Sequence, residues 1–159
     1  MRIKSLISKA VTAILLGVTA SSFYACLLPV GSGLGLSDSG DKPTSVFADK
    51  VQPIFTKNCV GCHHSGGSGW SATGGSAGGL DLSTGNSYAS LLGSGTGQTS
   101  FEVPGTLRVN PANADSSYIY QKIFSASPKS GVQMPQGGPY LSTDDINTIK
   151  NWIADGAKP

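Results

Sequence analysis

The chain has 159 residues, of which only 13% are charged, and it contains 22 glycines and three cysteines; this length is enough for one domain and a leader. The formal net charge is +2, but beyond residue 25 the chain has 8 Lys and Arg against 9 Asp and Glu, a balance of −1. Nothing in this balance provides the clustered positive charge of a nucleic-acid-binding protein, so we expect no nucleic-acid partner.

The first 25 residues have the composition of a bacterial export signal. A basic start precedes an apolar segment at 10–20, the order that such signals share. The basic residues are Arg2, Lys4 and Lys9. Small residues favour cleavage after Ala20, whereas the absence of charge between Ala10 and Ser37 also allows an uncleaved membrane anchor. We predict an exported protein of the periplasm or cell envelope, with the signal at 1–25.

Cys26 offers a third outcome, which is lipidation. The preceding Phe23-Tyr24-Ala25 resembles the box before the lipidated cysteine of bacterial lipoproteins, although its aromatic residues depart from the usual leucine and small residue. An unpaired thiol in an exported protein calls for an explanation, and the Gly- and Ser-rich stretch at 26–43 is typical of a flexible tether. We favour a lipid anchor on Cys26. The alternative is that Cys26 belongs to a discarded leader or to an anchor helix.

A folded domain is predicted over 44–159, beginning with a helix at 44–58. Thr44 or Ser45 can cap this helix, and Pro53 should kink it or divide it into two pieces. Apolar residues at a spacing of three to four form one face of the helix. These residues are Phe47, Val51, Ile54 and Phe55.

The helix leads into Cys59-Val60-Gly61-Cys62-His63, a spacing that attaches haem covalently. Two cysteine sulfurs separated by two residues can reach the two vinyl groups of a porphyrin, and the following histidine becomes the proximal iron ligand. The alternatives are a redox dithiol, which does not need the histidine and usually lies in a βαβ unit, or half of a zinc site. A zinc site needs a second pair of ligands, and no Cys or His follows His64. We predict one covalent haem c, held by Cys59 and Cys62, with His63 on the iron.

A glycine- and serine-rich segment follows at 66–79 and predicts a mobile surface loop. It lacks the GK[ST] sequence and the preceding strand of a phosphate-binding loop. Trp70 within it has two interpretations, an anchor over the haem edge or an exposed side chain. Further short helices are predicted at 86–92 and at 113–124, the latter capped by Asn113 or Asp115.

The last helix has the clearest pattern. Ser142, Thr143 and two aspartates supply an N-cap and an acidic first turn, and Gly156 is placed to end the helix. No stretch alternates as a strand would, and no internal repeat occurs. The apolar stripe of the helix comprises Ile146, Ile149, Trp152 and Ile153.

Met134 is the candidate for the second axial iron ligand. It is the only methionine besides the initiator, and it precedes Pro135 in a proline-rich loop at 128–139. His64 is a poor candidate, because a residue next to the proximal ligand cannot easily reach the opposite haem face. The alternative for Met134 is a packing role in the core. Ligation by His63 and Met134 leaves no open iron site and suits electron transfer.

Several further stretches carry a family resemblance, in a consistent order. They are Val51-Gln52-Pro53-Ile54-Phe55, Gly79-Leu80-Asp81-Leu82, Arg108-Val109-Asn110-Pro111, Ser117-Tyr118-Ile119-Tyr120, Met134-Pro135 and Trp152-Ile153 with Gly156-Ala157. With the haem motif, they make the chain over about 44–158 resemble a small monohaem class I cytochrome c, and more narrowly the planctomycete-type cytochrome c domains. Asn110-Pro111, where Pro-Gly is common, and the long Gly/Ser loop depart from that pattern.

The resemblance implies an all-α fold whose first and last helices cross around one covalent haem, with Cys59, Cys62, His63 and Met134 as its haem residues. We expect a one-electron carrier rather than an enzyme, with other exported or membrane redox proteins as partners. The alternative is a haem-based sensor or a peroxidase-like enzyme with a displaceable sixth ligand. Arg108 is expected to neutralise a haem propionate, and the alternative is an exposed arginine.

Overall fold

A computed structural model describes residues 45–95 and 97–159. Among these residues it contains short α-helices and no named strand, and the one bridge pairs Thr99 with Leu107 in antiparallel fashion. The predicted all-α class is therefore confirmed for the described chain. The signal at 1–25 and the whole tether at 26–43, including Cys26, lie outside the described residues. The helices are α1 Gln52–Asn58, α2 Ser68–Ala72, α3 Ser87–Leu92, α4 Tyr118–Phe124 and α5 Thr143–Ala154.

The predicted first helix forms as two pieces. A π-helical turn, Phe47–Val51, runs directly into α1, and Pro53 lies at the start of α1. Proline is tolerated there because the first helical residues need no N–H donor. The bonding pattern changes from π-helical to α-helical between Val51 and Gln52, just before Pro53, while the backbone stays helical. All four residues of the predicted apolar face are buried.

Helix α4 begins later than the sequence predicts. Neither Asn113 nor Asp115 caps it; the residue before its first turn is Ser117. Instead, the side-chain oxygen of Asn113 accepts a hydrogen bond from the Ser116 N–H at 3.1 Å. The backbone carbonyl oxygen of Asn113 accepts one from the Ser117 hydroxyl at 2.8 Å. These local side-chain bonds offer the backbone a turn in place of a helix. The start predicted at 113 and both predicted caps are therefore wrong.

The first and last helical segments are in contact. The Phe47 ring in the π-helical turn lies 5.1 Å from the Trp152 ring of α5, between centroids. Helix α5 forms where predicted: Ser142 caps it by accepting from the Asp145 N–H at 3.1 Å. Gly156 follows its end with a φ of 94°, a conformation that favours glycine.

The segment at 66–79 is not a plain loop. It folds into α2 and a short 3-10 turn, Gly75–Ala77. The N–H groups of Gly69 and Trp70, both in α2, donate to the Cys62 carbonyl oxygen at 3.0 and 3.3 Å. These two hydrogen bonds attach the glycine-rich segment to the motif at 59–63.

Candidate functional site

The segment from Cys59 to His63 forms a tight turn at the end of α1. The Cys59 N–H donates to the Phe55 carbonyl oxygen at 2.8 Å, and the Cys62 and His63 N–H groups donate to the Cys59 carbonyl oxygen at 3.1 and 2.9 Å. Cys59 is half-buried and Cys62 is exposed. Burial raises the pKa of the Cys59 thiol to about 12.

This environment disfavours both alternatives to haem attachment. A reactive dithiol depends on a thiol whose pKa is lowered, whereas the pKa of the Cys59 thiol is raised. Among residues 45–95 and 97–159, no three His, Cys, Asp or Glu side chains lie close enough together to hold a metal ion. The described residues therefore supply no zinc site of the four-ligand kind.

His63 is fixed through its backbone and leaves its ring available. Its N–H is bonded to Cys59 as described, and its carbonyl oxygen accepts from the Leu82 N–H at 2.8 Å. The imidazole Nδ1 is buried without a hydrogen-bond partner in the described structure. Burial lowers the pKa of His63, so the ring is neutral near pH 7 and can use a nitrogen lone pair on a metal.

Two adjoining cavities open beside His63. The inner cavity, of about 70 Å³, reaches deep core residues such as Leu91 and Ile149, and the outer cavity, of about 440 Å³, reaches exposed residues such as Lys57 and Cys62. Together they form a largely apolar cleft that is open to solvent on its outer side, and sites of this character bind flat organic molecules. The residues that line both cavities are Cys59, His63, Thr73, Glu102, Ile123, Met134 and Leu141.

Met134 is brought to the same cleft as His63 by its attachment to α4. It is half-buried in the loop between α4 and α5. Its N–H donates to the Lys122 carbonyl oxygen at 2.7 Å, and the neighbouring Gln133 amide donates to the Ile123 carbonyl oxygen at 3.0 Å. These bonds hold the loop against the carboxyl-terminal half of α4, beside both cavities.

Arg108 is buried, with 5% of its surface exposed, and it lines the inner cavity. Its guanidinium donates to the carbonyl oxygens of Ser90, at 2.7 Å, and Gly78. Among the described residues, the only ion pair joins Lys122 to Glu102, so no carboxylate neutralises Arg108 there. A buried cation of this kind favours an anionic group on a ligand, and the alternative of an exposed arginine is wrong.

Sequence reasoning missed a polar cluster on the cavity wall. The Tyr118 hydroxyl donates to Glu102 Oε2 at 2.8 Å, and Lys122 Nζ lies 3.9 Å from the same oxygen. Tyr118 and Lys122 also approach the Ser130 carbonyl oxygen, each at 3.1 Å. The one available signal was Glu102 itself, the only acidic residue between Asp81 and Asp115.

Two other candidates lie away from the cleft. His64 is exposed, and its Nδ1 is 2.8 Å from the Val60 carbonyl oxygen; it does not line either cavity. Trp70 is half-buried against Gly75 and Gly79 rather than over a cavity. Trp70 therefore neither lines the cleft nor is exposed, the two positions predicted for it.

The residues around the cleft fit a covalently attached haem. The two cysteines border the outer cavity, and the apolar walls suit the porphyrin face. The neutral imidazole of His63 and the thioether of Met134 are iron ligands of known kinds, and Arg108 can pair with a propionate. The His63 ring lies in the wall of both cavities, hydrogen-bonded at most to the Leu80 backbone, so one of its nitrogens can bind a metal there.

No family model, curated protein or solved structure matches the chain. No helix among the described residues is long and apolar enough to cross a membrane.

Proposed function

We propose that this chain is an exported, monohaem c-type cytochrome that carries single electrons. One observation carries the proposal: Met134, far along the chain from the motif, lines the same two adjoining cavities as Cys59 and His63. The spacing of the motif and the scarcity of methionine indicate the same residues from the sequence alone.

Each residue has a defined part in this proposal. Cys59 and Cys62 would hold the porphyrin through thioether bonds, and His63 and Met134 would bind its iron. When bound, haem supplies an iron that takes up and releases one electron. Arg108 stabilises a propionate by charge and hydrogen bonding. An iron held by both His63 and Met134 would have no position left for a substrate.

The surroundings of the site suit exchange of electrons with another protein. Most of the inner cavity is lined by buried side chains, whereas Cys62 and Lys57 at the outer cavity are exposed. A partner can therefore approach the cofactor edge at the outer cavity without opening the fold. The partners we propose are other exported or membrane redox proteins, and a lipid on Cys26 would keep the chain near them.

Intact mass spectrometry of the full-length exported protein tests the attachment of haem. The protein is produced in a host that matures c-type cytochromes. We expect one haem on the parent protein and none on the Cys59→Ala/Cys62→Ala variant. The same spectrum reports whether Cys26 carries lipid. A parent protein without haem would refute the proposal.

Carbon monoxide binding tests the electron-carrier role. The ferrous parent should not bind carbon monoxide readily at neutral pH, because Met134 would hold the iron against it, whereas the Met134→Ala variant should bind it. Val132→Ala is the matched control in the same loop, because Val132 is 50% exposed, and it should behave as the parent. Ready binding by the parent would favour a sensor or a peroxidase-like enzyme instead.

A further inference from the structure

Gly69 lies directly against the imidazole ring of His63. A Cβ atom at Gly69 would lie 2.7 Å from the ring Cε1, 2.8 Å from Nδ1 and 2.9 Å from Nε2. Non-bonded carbon atoms prefer separations of about 3.5–4.0 Å, so no other residue fits without movement of the ring or of α2.

The backbone gives no other reason for glycine at this position. Gly69 lies inside α2 and its φ is outside the left-handed region. Alanine is the better helix former, so local preference alone would favour alanine here. The ring of His63 is the feature that requires the absence of a side chain.

Helix α2 is fixed against the haem motif, so a clash would displace the ring rather than the helix. The Gly69 N–H donates to the Cys62 carbonyl oxygen at 3.0 Å, and the Gly69 carbonyl oxygen accepts from the Thr73 hydroxyl at 2.8 Å. The Thr73 hydroxyl oxygen also accepts from the Leu80 N–H at 2.8 Å. Thr73 thus ties α2 to the segment that runs on to Leu82, the residue bonded to the His63 carbonyl oxygen.

Gly67, two residues before Gly69, also lies close to the motif. A Cβ atom there would lie 2.3 Å from the Cys62 carbonyl oxygen. The start of α2 therefore packs on the backbone of the motif at Gly67 and on the ring of His63 at Gly69. Both contacts depend on the lack of a side chain.

We propose that Gly69 is a positioning residue that sets the orientation of the His63 ring, and that the segment at 66–79 covers the ring face of this ligand. The inference rests on the proposed function, because it assigns the ring orientation a role at the iron. Contacts of this kind orient metal ligands and tune the metal. The glycine-rich segment is then part of the site and not a spacer.

The test compares alanine substitutions in the full-length, haem-loaded protein by electron paramagnetic resonance of the ferric state. The g values respond to the orientation of an iron-bound imidazole ring. If Gly69 had a purely structural role, the Gly69→Ala substitution would leave this orientation and the g values unchanged. Gly69→Ala should shift the g values. Ser71→Ala and Ser76→Ala are matched controls, because both serines are exposed in the same glycine-rich segment. Both controls should retain the parent spectrum.

A second measurement keeps the inference testable if Gly69→Ala does not accumulate. In the ferrous parent protein, nuclear Overhauser contacts should join the Gly69 α-protons to the His63 ring protons. Absence of these contacts, or g values of Gly69→Ala equal to those of the two controls, would overturn the inference while leaving haem attachment intact. Absence of haem from the parent in the mass spectrum would overturn the proposed function, and with it this inference.

Discussion

The Tyr118→Phe substitution removes one hydroxyl group from the wall of the inner cavity and keeps the aromatic ring. Tyr118 is 5% exposed. Its hydroxyl lies 2.8 Å from Glu102 Oε2 and 3.1 Å from the Ser130 carbonyl oxygen. After the substitution the Ser130 oxygen still accepts a hydrogen bond from Lys122 Nζ at 3.1 Å, whereas Glu102 loses its hydroxyl donor. The cost therefore falls mainly on Glu102.

The size of the loss follows from this difference. A hydrogen bond to a charged group contributes about 1.5–3 kcal/mol to stability. The Glu102 side chain is 26% exposed, so water replaces part of the lost interaction. We expect the free energy of unfolding to fall by about 1.5–2 kcal/mol, the lower part of that range.

Urea unfolding of the haem-loaded protein at pH 7, followed by far-ultraviolet circular dichroism, measures this loss. The midpoint should fall while the slope with urea stays constant. Tyr140→Phe is the matched control, because Tyr140 is 56% exposed, and its effect should stay within about 0.5 kcal/mol. Equal losses for the two variants would refute the role of the bond between Tyr118 and Glu102.

Four further predictions concern stability. Burial, and to a lesser extent the hydrogen bond to Glu102, raise the pKa of Tyr118. The unfolded chain therefore loses the Tyr118 proton at a lower pH than the folded protein, and the free energy of unfolding of the parent should fall above about pH 10. Urea midpoints at rising pH should show a smaller fall in Tyr118→Phe. Ile149→Ala, at a fully buried site, should cost about 2–5 kcal/mol in urea unfolding, and a cost near zero would contradict the packing. Arg108→Met should cost about 1–3 kcal/mol by leaving two carbonyl oxygens without their donor, with Arg108→Lys intermediate in the same assay. Ser142→Ala should lower the thermal midpoint by the equivalent of about 0.5–2 kcal/mol, because it removes the cap of α5; an unchanged midpoint would count against the cap.

The periodic parts of the chain were predictable from sequence. The apolar faces of the first segment and of α5 have spacings that only a helix buries, and Pro53 marked the division between the π-helical turn and α1. The start of α4 was not predictable in this way. Asn113 and Ser117 have side chains suited to capping, but they bond within a turn instead, and nothing in composition separates the two outcomes.

The site was predictable only as far as its ligands have recognisable chemistry. Cys59, His63 and Met134 could be selected because few other residues offer sulfur or imidazole. Gly69 could not, because a glycine required by a neighbouring ring looks the same in sequence as a glycine in a loop. Arg108 was expected to be paired with a ligand, but its bonds to backbone carbonyl oxygens depend on tertiary structure.

The contact between Phe47 and Trp152 also has a consequence for the order of events during maturation. Because a chain is made from its amino terminus, Cys59 emerges well before α5. In the folded protein Cys59 is half-buried and its thiol has a raised pKa, whereas in an open chain the same thiol is accessible. Under the proposed function, haem attachment at Cys59 would therefore have to precede the docking of the last helix against the first.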